Sequence, residues 1–159
     1  MPMKIGEAFP GFEGATDWIN GTREEAEVPP DGSPILVHFW SISCGICKEN
    51  FPGLRKLLAT YGSAGLKPFA VHLPRYEADT DLDAVRAAAG ANMITEICAV
   101  DNLHKLKDAF KNEQGWVPVY YLFDAEGNLK TRAAGEFGIG ILGSALERMF
   151  AGRMNEASA

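Results

Sequence analysis

The stretch Ile35–Cys47 reads ILVHFWSISCGIC, an apolar run followed by a Cys-x-x-Cys motif. The run Ile35–Trp40 is apolar on both faces apart from His38, which is typical of a buried central strand. The motif follows where a helix would begin, so backbone N–H groups and the positive end of the helix dipole would face one sulfur. Such surroundings stabilise a thiolate, the reactive form of cysteine. The stretch therefore indicates thiol–disulfide chemistry.

Strand and helix patterns alternate along the rest of the chain. After an entry segment at 4–12, the predicted strands are 18–21, 35–40, 67–73, 97–100, 119–123 and the edge strand 129–133, the last two joined by a turn at 124–128. The predicted helices are 44–61, one capped by Asp79 or Thr80 that ends at Ala89, 104–110 with Leu103, Leu106 and Phe110 inward, and 139–150. This order predicts a three-layer α/β/α sandwich around a central mixed sheet.

Length and composition are those of one globular domain. The chain has 159 residues, 47% hydrophobic and 23% charged, which suffices for a sizeable core. We predict a single domain over 1–159, with an N-terminal extension at 1–34 and a flexible tail at 151–159. The net charge is −6 and the basic residues are scattered, so no surface for nucleic acid or an anionic membrane is predicted.

The cysteine count and the N-terminus favour a cytoplasmic protein. Three cysteines give one catalytic pair and one odd thiol, whereas a stapled secreted domain would carry more. The first ten residues lack the apolar stretch of a signal peptide, and no apolar run is long enough to cross a bilayer. The alternative is an exported protein without its leader. We expect a monomer or a weak homodimer.

These motifs resemble the thioredoxin superfamily. The resemblance rests on His38-Phe39-Trp40-x-x-x-Cys44-x-x-Cys47-Lys48, on Pro52 five residues after the second cysteine, and on Val117-Pro118 before a strand. The branch it is most similar to is the redoxin or TlpA-like, AhpC/TSA-related group of thiol–disulfide oxidoreductases. The resemblance implies a thioredoxin-like fold with an N-terminal extension near 1–34 and a strand–helix insertion near 74–96.

Three positions depart from the family pattern. Ile46 stands where family members commonly have proline before the second cysteine. His38 stands where thioredoxins carry a buried acid, six residues before the first cysteine. Asn50 stands where TlpA-like members often carry glutamate. Both usual proton-handling carboxylates are therefore replaced, so the redox potential and the pH optimum are open at this point.

Cys44 is the predicted nucleophile and Cys47 the resolving cysteine. Cys44 precedes the helix, so its sulfur is expected to be the more exposed and the lower in pKa. It would attack a substrate disulfide, and Cys47 would then attack Cys44 and release the reduced product. No cofactor is needed for this chemistry. A structural disulfide and half of a zinc site are the alternatives, but no second Cys-x-x-Cys is present.

Four further residues are candidates for the site. By resemblance, Pro118 would follow a cis peptide bond and leave the Val117 backbone free to pair with an extended substrate. Trp40 would form a wall beside the dithiol or serve as core, and Trp116 would rim the substrate groove.

Two more side chains carry open alternatives. His38 would either be a hydrogen-bonded core residue or shuttle the Cys47 proton, since histidine titrates near neutral pH. Cys98 is interpreted as a buried core thiol, with a resolving or sensor role as the alternative.

The predicted function is the reduction of substrate disulfides, with a disulfide-containing protein or small thiol as substrate and an electron donor that the sequence does not identify. A thiol-dependent peroxidase with an antioxidant role is the first alternative. The peroxidase pattern Pro-x-x-x-Thr/Ser-x-x-Cys is only partly met, by Ser41 but with Val37 in place of the proline. A thioredoxin-fold metal-binding or interaction module is the second alternative, although no metal ligands are assigned.

Overall fold

The computed structural model describes residues 1–27 and 32–158, with side chains over 1–27 and 32–151. Part of the predicted extension, 28–31, and the last residue therefore lie outside the described residues. The strands are β1 (Asp17–Ile19), β2 (Ile35–Trp40), β3 (Lys67–His72), β4 (Ile97–Val100), β5 (Val119–Phe123) and β6 (Leu129–Ala134). The helices are α1 (Gly45–Gly62), α2 (Leu82–Ala91), α3 (Lys105–Ala109) and α4 (Gly138–Ser158), with a 3₁₀ turn at Glu77–Thr80 before α2.

The six strands form one mixed sheet in the order β1-β4-β3-β2-β5-β6. Strands β2, β3 and β4 are parallel, while β1, β5 and β6 pair antiparallel to their neighbours. Parallel pairing requires crossover connections, and α1 and the segment containing α2 supply them. Strand β2 pairs with β3 on one side and with β5 on the other, so its carboxyl end lies in the middle of the sheet.

Alternate residues of the buried strands serve two separate cores, as expected from the period of two along a strand. On one face, Leu36 and Trp40 of β2 pack with α1, α2 and α4. On the other face, Val37 and Phe39 of β2 pack with α3 and with the N-terminal segment. The side chains that these covering elements bury are Cys47, Phe51, Leu54, Val85, Ala89, Leu142, Leu146 and Phe150 on the first face, and Met3, Phe12, Ala26, Leu106 and Phe110 on the second. The predicted three-layer α/β/α sandwich is therefore confirmed.

Three local predictions need correction. Helix α2 is capped by Asp81, whose carboxylate accepts from the backbone of Asp83 and Ala84, and not by Asp79 or Thr80. Leu103 is 64% exposed because it precedes α3 in a turn, and Leu106 and Phe110 alone face the core there.

The last helix also differs from its predicted bounds. Helix α4 continues past the predicted end at Phe150 to Ser158. Side chains of that continuation are described for Ala151 alone, and the flexibility of 151–159 stays a prediction.

Candidate active site

Cys44 and Cys47 form a disulfide at the start of α1, with their Cα atoms 5.3 Å apart. Cys44 is the N-cap residue of α1, in extended conformation, and its Sγ accepts a hydrogen bond from the Cys47 backbone N–H at 3.1 Å. The predicted placement of one sulfur at the amino end of the helix is therefore confirmed. After reduction, the same N–H and the helix dipole would stabilise a thiolate on Cys44.

The expectation that Cys44 is the more exposed cysteine is wrong for this oxidised state. Cys44 and Cys47 are each only 1% exposed. Both belong to the core cluster that contains Trp40, and Ile42 and Val117 pack against that cluster.

Residues 116–118 directly precede β5, whose first residue, Val119, pairs with Phe39 near the carboxyl end of β2. The Val117–Pro118 peptide bond is cis, which confirms the prediction from the family pattern. Asn112 is buried, and its side-chain amide donates to the Trp116 carbonyl and accepts from the Trp116 N–H, each at 3.0 Å. These two hydrogen bonds fix Trp116, the residue before Val117. Trp116 is 50% exposed, and within the described residues no hydrogen bond involves the Val117 backbone. This segment can accept an extended chain as an added strand.

Asp79 holds the loop before Cys44, a role that the sequence did not reveal. Its Oδ2 atom accepts from the hydroxyls of Ser41 and Ser43, at 3.1 and 2.7 Å, and from the backbone N–H groups of Arg75 and Tyr76. Burial raises the pKa of Asp79, but these four hydrogen bonds outweigh it and leave the pKa below its ordinary value. The carboxylate therefore stays charged and ties the 41–43 loop to the segment after β3.

His72 supports the same loop from beneath. Its Nε2 accepts a hydrogen bond from the Ile42 N–H at 3.2 Å, and its ring lies edge-on to Trp40 with centroids 4.8 Å apart. Burial lowers the pKa of His72 to about 4, against the opposing effect of the Asp79 carboxylate. The neutral ring that results can accept the Ile42 hydrogen bond, which a protonated ring could not do.

His38 takes part in a buried ionic cluster. Its Nε2 lies 2.5 Å from Oε2 of Glu96, and Arg55 donates to both oxygens of that carboxylate at 2.7 Å. Burial raises the pKa of Glu96, but the hydrogen bonds from Arg55 and His38 outweigh it and hold the pKa well below its ordinary value. Glu96 is therefore ionised and accepts this hydrogen bond, so His38 donates from Nε2.

The ionic cluster lies against α1, the helix that begins at the dithiol. The His38 ring faces α1, 6.4 Å from the ring of Phe51, which follows Cys47 by one helical turn. Glu96 and Arg55 also line a surface cavity of about 430 Å³. The sequence pointed to His38 alone, because Glu96 is 58 residues away and has no recognisable pattern around it.

The other two candidates are buried. Trp40 is 1% exposed and packs against Phe51, so it serves as core in this state. Cys98 is fully buried in β4, and burial raises the pKa of its thiol to about 12, which favours the interpretation as a core residue. Among residues 1–27 and 32–158, no three His, Cys, Asp or Glu side chains are grouped so that they could bind a metal ion. Over the same residues, no helix is long and apolar enough to span a membrane.

The low pKa of His72 predicts an acid-sensitive component of stability. An unfolded chain protonates this histidine near its ordinary pKa of 6.5, whereas the folded protein does so only near 4. The contribution is therefore complete above about pH 6.5 and is lost as the pH falls towards 4, on the order of 3 kcal/mol in all. We expect H72Q, whose side-chain oxygen can still accept from Ile42, to lack this component. Urea unfolding at pH 7.0, 5.5 and 4.5 measures it, and parallel pH dependence in both proteins would contradict it.

Comparisons with known proteins agree with this site. The family model of the AhpC/TSA family matches residues 5–132. The thiol-disulfide oxidoreductase YkuV of Bacillus subtilis is 39% identical over 151 residues, which are 94% of this chain and 98% of YkuV.

Two solved structures share the fold. The solution structure of a thioredoxin-like protein in the oxidized form has 38% identity and a TM-score of 0.80, covering 94% of this chain and 98% of that one. The crystal structure of StoA from Bacillus subtilis has 21% identity and a TM-score of 0.59, covering 73% and 84%, which shows a common fold alone. The chain therefore belongs to the AhpC/TSA family and is a homologue of thiol–disulfide oxidoreductases with a thioredoxin-like fold.

Proposed function

We propose that this protein reduces substrate disulfides with Cys44 as nucleophile and Cys47 as resolving cysteine. The observation that carries the proposal is the hydrogen bond from the Cys47 N–H to the Cys44 sulfur at the start of α1. A donor at this place stabilises negative charge on Cys44 and not on Cys47, whose own sulfur lies one turn inside the helix.

The reaction transfers two electrons from the dithiol to the substrate. The Cys44 thiolate attacks one substrate sulfur, the substrate S–S bond breaks, and the departing substrate sulfur takes up a proton. Cys47 then loses its proton and attacks Cys44, which releases the second substrate thiol and leaves the Cys44–Cys47 disulfide. A separate electron donor must return two electrons and two protons before the next cycle.

The substrate binds along residues 116–118 in this proposal. The Val117 backbone pairs with an extended substrate chain, Pro118 keeps the segment closed against the dithiol, and the exposed face of Trp116 contacts the substrate. Trp40 contributes from below as a wall of the dithiol cluster. Partners are a disulfide-containing protein or a small thiol compound, and the protein acts as a monomer or weak homodimer.

His38 receives the Cys47 proton in the resolving step. In this proposal, Nε2 of His38 donates to Glu96 and Nδ1 is the nitrogen that takes up the proton. The Glu96 carboxylate supports the positive charge that develops on the ring, and the cavity beside Arg55 and Glu96 connects the cluster to solvent. The cluster thus takes the place of the buried acid that thioredoxins carry at this position.

The peroxidase alternative has weaker support. The Ser41 hydroxyl, the residue that matches the peroxidase pattern, donates to the Asp79 carboxylate instead of facing an open pocket. A peroxide bound there would meet a negative charge. Peroxide consumption by the reduced protein faster than by free cysteine would restore this alternative as an antioxidant function.

Trapping of a mixed disulfide tests the roles of the two cysteines. We expect C47S to accumulate a covalent complex with a peptide disulfide through Cys44, because the resolving attack is absent. C44S should form none. The buried thiol offers the control, since C98S should turn over like the native protein. Measurement is by non-reducing electrophoresis and mass spectrometry of the linked cysteine, and a complex through Cys47 would reverse the assignment.

Two variants of His38 separate proton transfer from structure. H38A and H38Q should both lower the rate constant of disulfide reduction at pH 7 by at least about tenfold, because neither side chain accepts a proton. Glutamine can still donate a hydrogen bond to Glu96, so H38Q should lose less stability than H38A. Stopped-flow rates over pH 6–9 with urea unfolding give both quantities. If H38Q reduces the substrate with the same rate constant as the native protein across that pH range, the proton-transfer role is refuted.

The reduction potential tests the proposed direction and compartment. We propose a cytoplasmic reductase, for which equilibration with thiol buffers should give a potential of the Cys44–Cys47 pair near about −270 mV. A potential near about −120 mV would indicate an oxidant and favour the exported alternative. The absence of any reversible disulfide would refute the oxidoreductase mechanism itself.

A further inference from the structure

A cavity of about 300 Å³ lies next to the active-site loop and has no part in the mechanism above. It is formed by the turn after β3, the start of α3 and the segment before Trp116. The residues that line it are Leu73, Pro74, Arg75, Tyr76, His104, Lys107, Gln114 and Gly115. The lining combines apolar residues with the cations Arg75 and Lys107 and with neutral hydrogen-bonding side chains.

The charge of this cavity is opposite to that of the protein. Arg75 and Lys107 are permanently cationic at neutral pH, and none of the eight lining residues is acidic, although the whole chain has a net charge of −6. The nearest partner of Lys107 is Asp108, whose carboxylate is 3.9 Å from Nζ and 76% exposed, so this loose pair leaves Lys107 able to bind another anion. The Asp79 carboxylate is close by, since its Oδ2 accepts from the hydroxyls of Ser41 and Ser43 and from the backbone N–H groups of Arg75 and Tyr76, but it does not line the cavity.

Two residues that line the cavity, Arg75 and Gln114, donate to or accept from residues next to the dithiol and the 116–118 segment. The Arg75 guanidinium donates to the carbonyl of Ser43, the residue before Cys44, at 3.4 Å, and its Cζ lies 5.6 Å from the centre of the Tyr76 ring. On the other side, Gly115 is two residues before Val117, and the Gln114 side chain accepts from the Trp116 indole N–H. A chain paired with Val117 therefore has the cavity within about 7 Å, the length of two extended residues.

We propose that this cavity is a subsite for a carboxylate of the substrate, one to three residues from the disulfide that Cys44 attacks. The subsite rests on the proposed function, because its place is defined by the chain that pairs with Val117. A guanidinium offers a planar set of N–H donors that matches a carboxylate, and among the described residues the Arg75 guanidinium makes one hydrogen bond, to the Ser43 carbonyl. The ammonium of Lys107 adds a second positive charge. The preferred substrates are therefore acidic near their disulfide.

Matched substrates test the subsite. Two peptide disulfides that differ only in Glu or Gln two residues from the cysteine are reduced by the native protein, by K107Q and by the double variant R75Q/K107Q, and kcat/KM is measured for each. We expect the native protein to prefer the Glu peptide, and each removed cation to lower that preference by about two- to fivefold. Added salt should also reduce the preference, since both cations are accessible to solvent. Oxidised glutathione and its esterified form repeat the comparison for a small carboxylate source.

K56Q serves as the control, because it removes one exposed positive charge from α1, away from the cavity. A preference for the carboxylate that falls in K107Q and R75Q/K107Q and persists in K56Q supports the subsite. Whether this is seen with the peptide or with glutathione identifies the source of the carboxylate. Equal kcat/KM values for the Glu and Gln peptides in the native protein would overturn the subsite. A preference that falls in K56Q as much as in the cavity variants would also overturn it. Reduction of the Gln peptide reports separately on the proposed function, which fails only if neither peptide is reduced.

Discussion

Strand β2 is held by backbone hydrogen bonds on both sides, to β3 and to β5, and buries side chains in two cores at once. A strand constrained in this way cannot shift by one residue, because its two sets of side chains would exchange faces. Its carboxyl end is therefore fixed, and with it the place where α1 begins. The reactivity of Cys44 depends on that fixed start, since the stabilising N–H groups and the helix dipole act only over the first turn.

Two buried titratable groups hold the short loop between β2 and α1, one as an anion and the other as a neutral ring. Asp79 is an anion that accepts four hydrogen bonds, while His72 is neutral and accepts one. Each group therefore satisfies polar atoms of a loop that is packed against the core, where unpaired donors would be costly. The segment that carries Asp79 belongs to the predicted strand–helix insertion, so this insertion contributes directly to the geometry of the dithiol.

The ionic cluster beneath the dithiol has a different energetic character. Glu96 is buried with two partners, and the removal of either would leave its carboxylate in the interior with less compensation. Such an arrangement is weak support for stability, and replacement of all its members by apolar groups would often be tolerated. In the proposed mechanism, its value lies in keeping an accepting nitrogen on His38 beside α1. Arg55 then balances the carboxylate so that the cluster as a whole does not oppose a thiolate.

The sequence alone was sufficient for the fold class, the order of the strands along the chain and the dithiol at the start of α1. These features are local, because period-two and helical spacing, Cys-x-x-Cys and Val-Pro are legible within a few residues. The partners that tune the dithiol were not legible. Asp79 was a candidate helix cap, and Glu96 had no recognisable pattern around it.

Only the tertiary structure decided that Asp79 binds the 41–43 loop, that Glu96 meets His38, and that Arg75 and Lys107 share a cavity. Contacts between residues so far apart along the chain depend on strand order and crossover connections. A single sequence records no distance between segments that pack together only after the chain has folded. Burial decided the neutral state of His72 and the low exposure of Cys44. Both follow from the atoms packed around these residues and not from residue type.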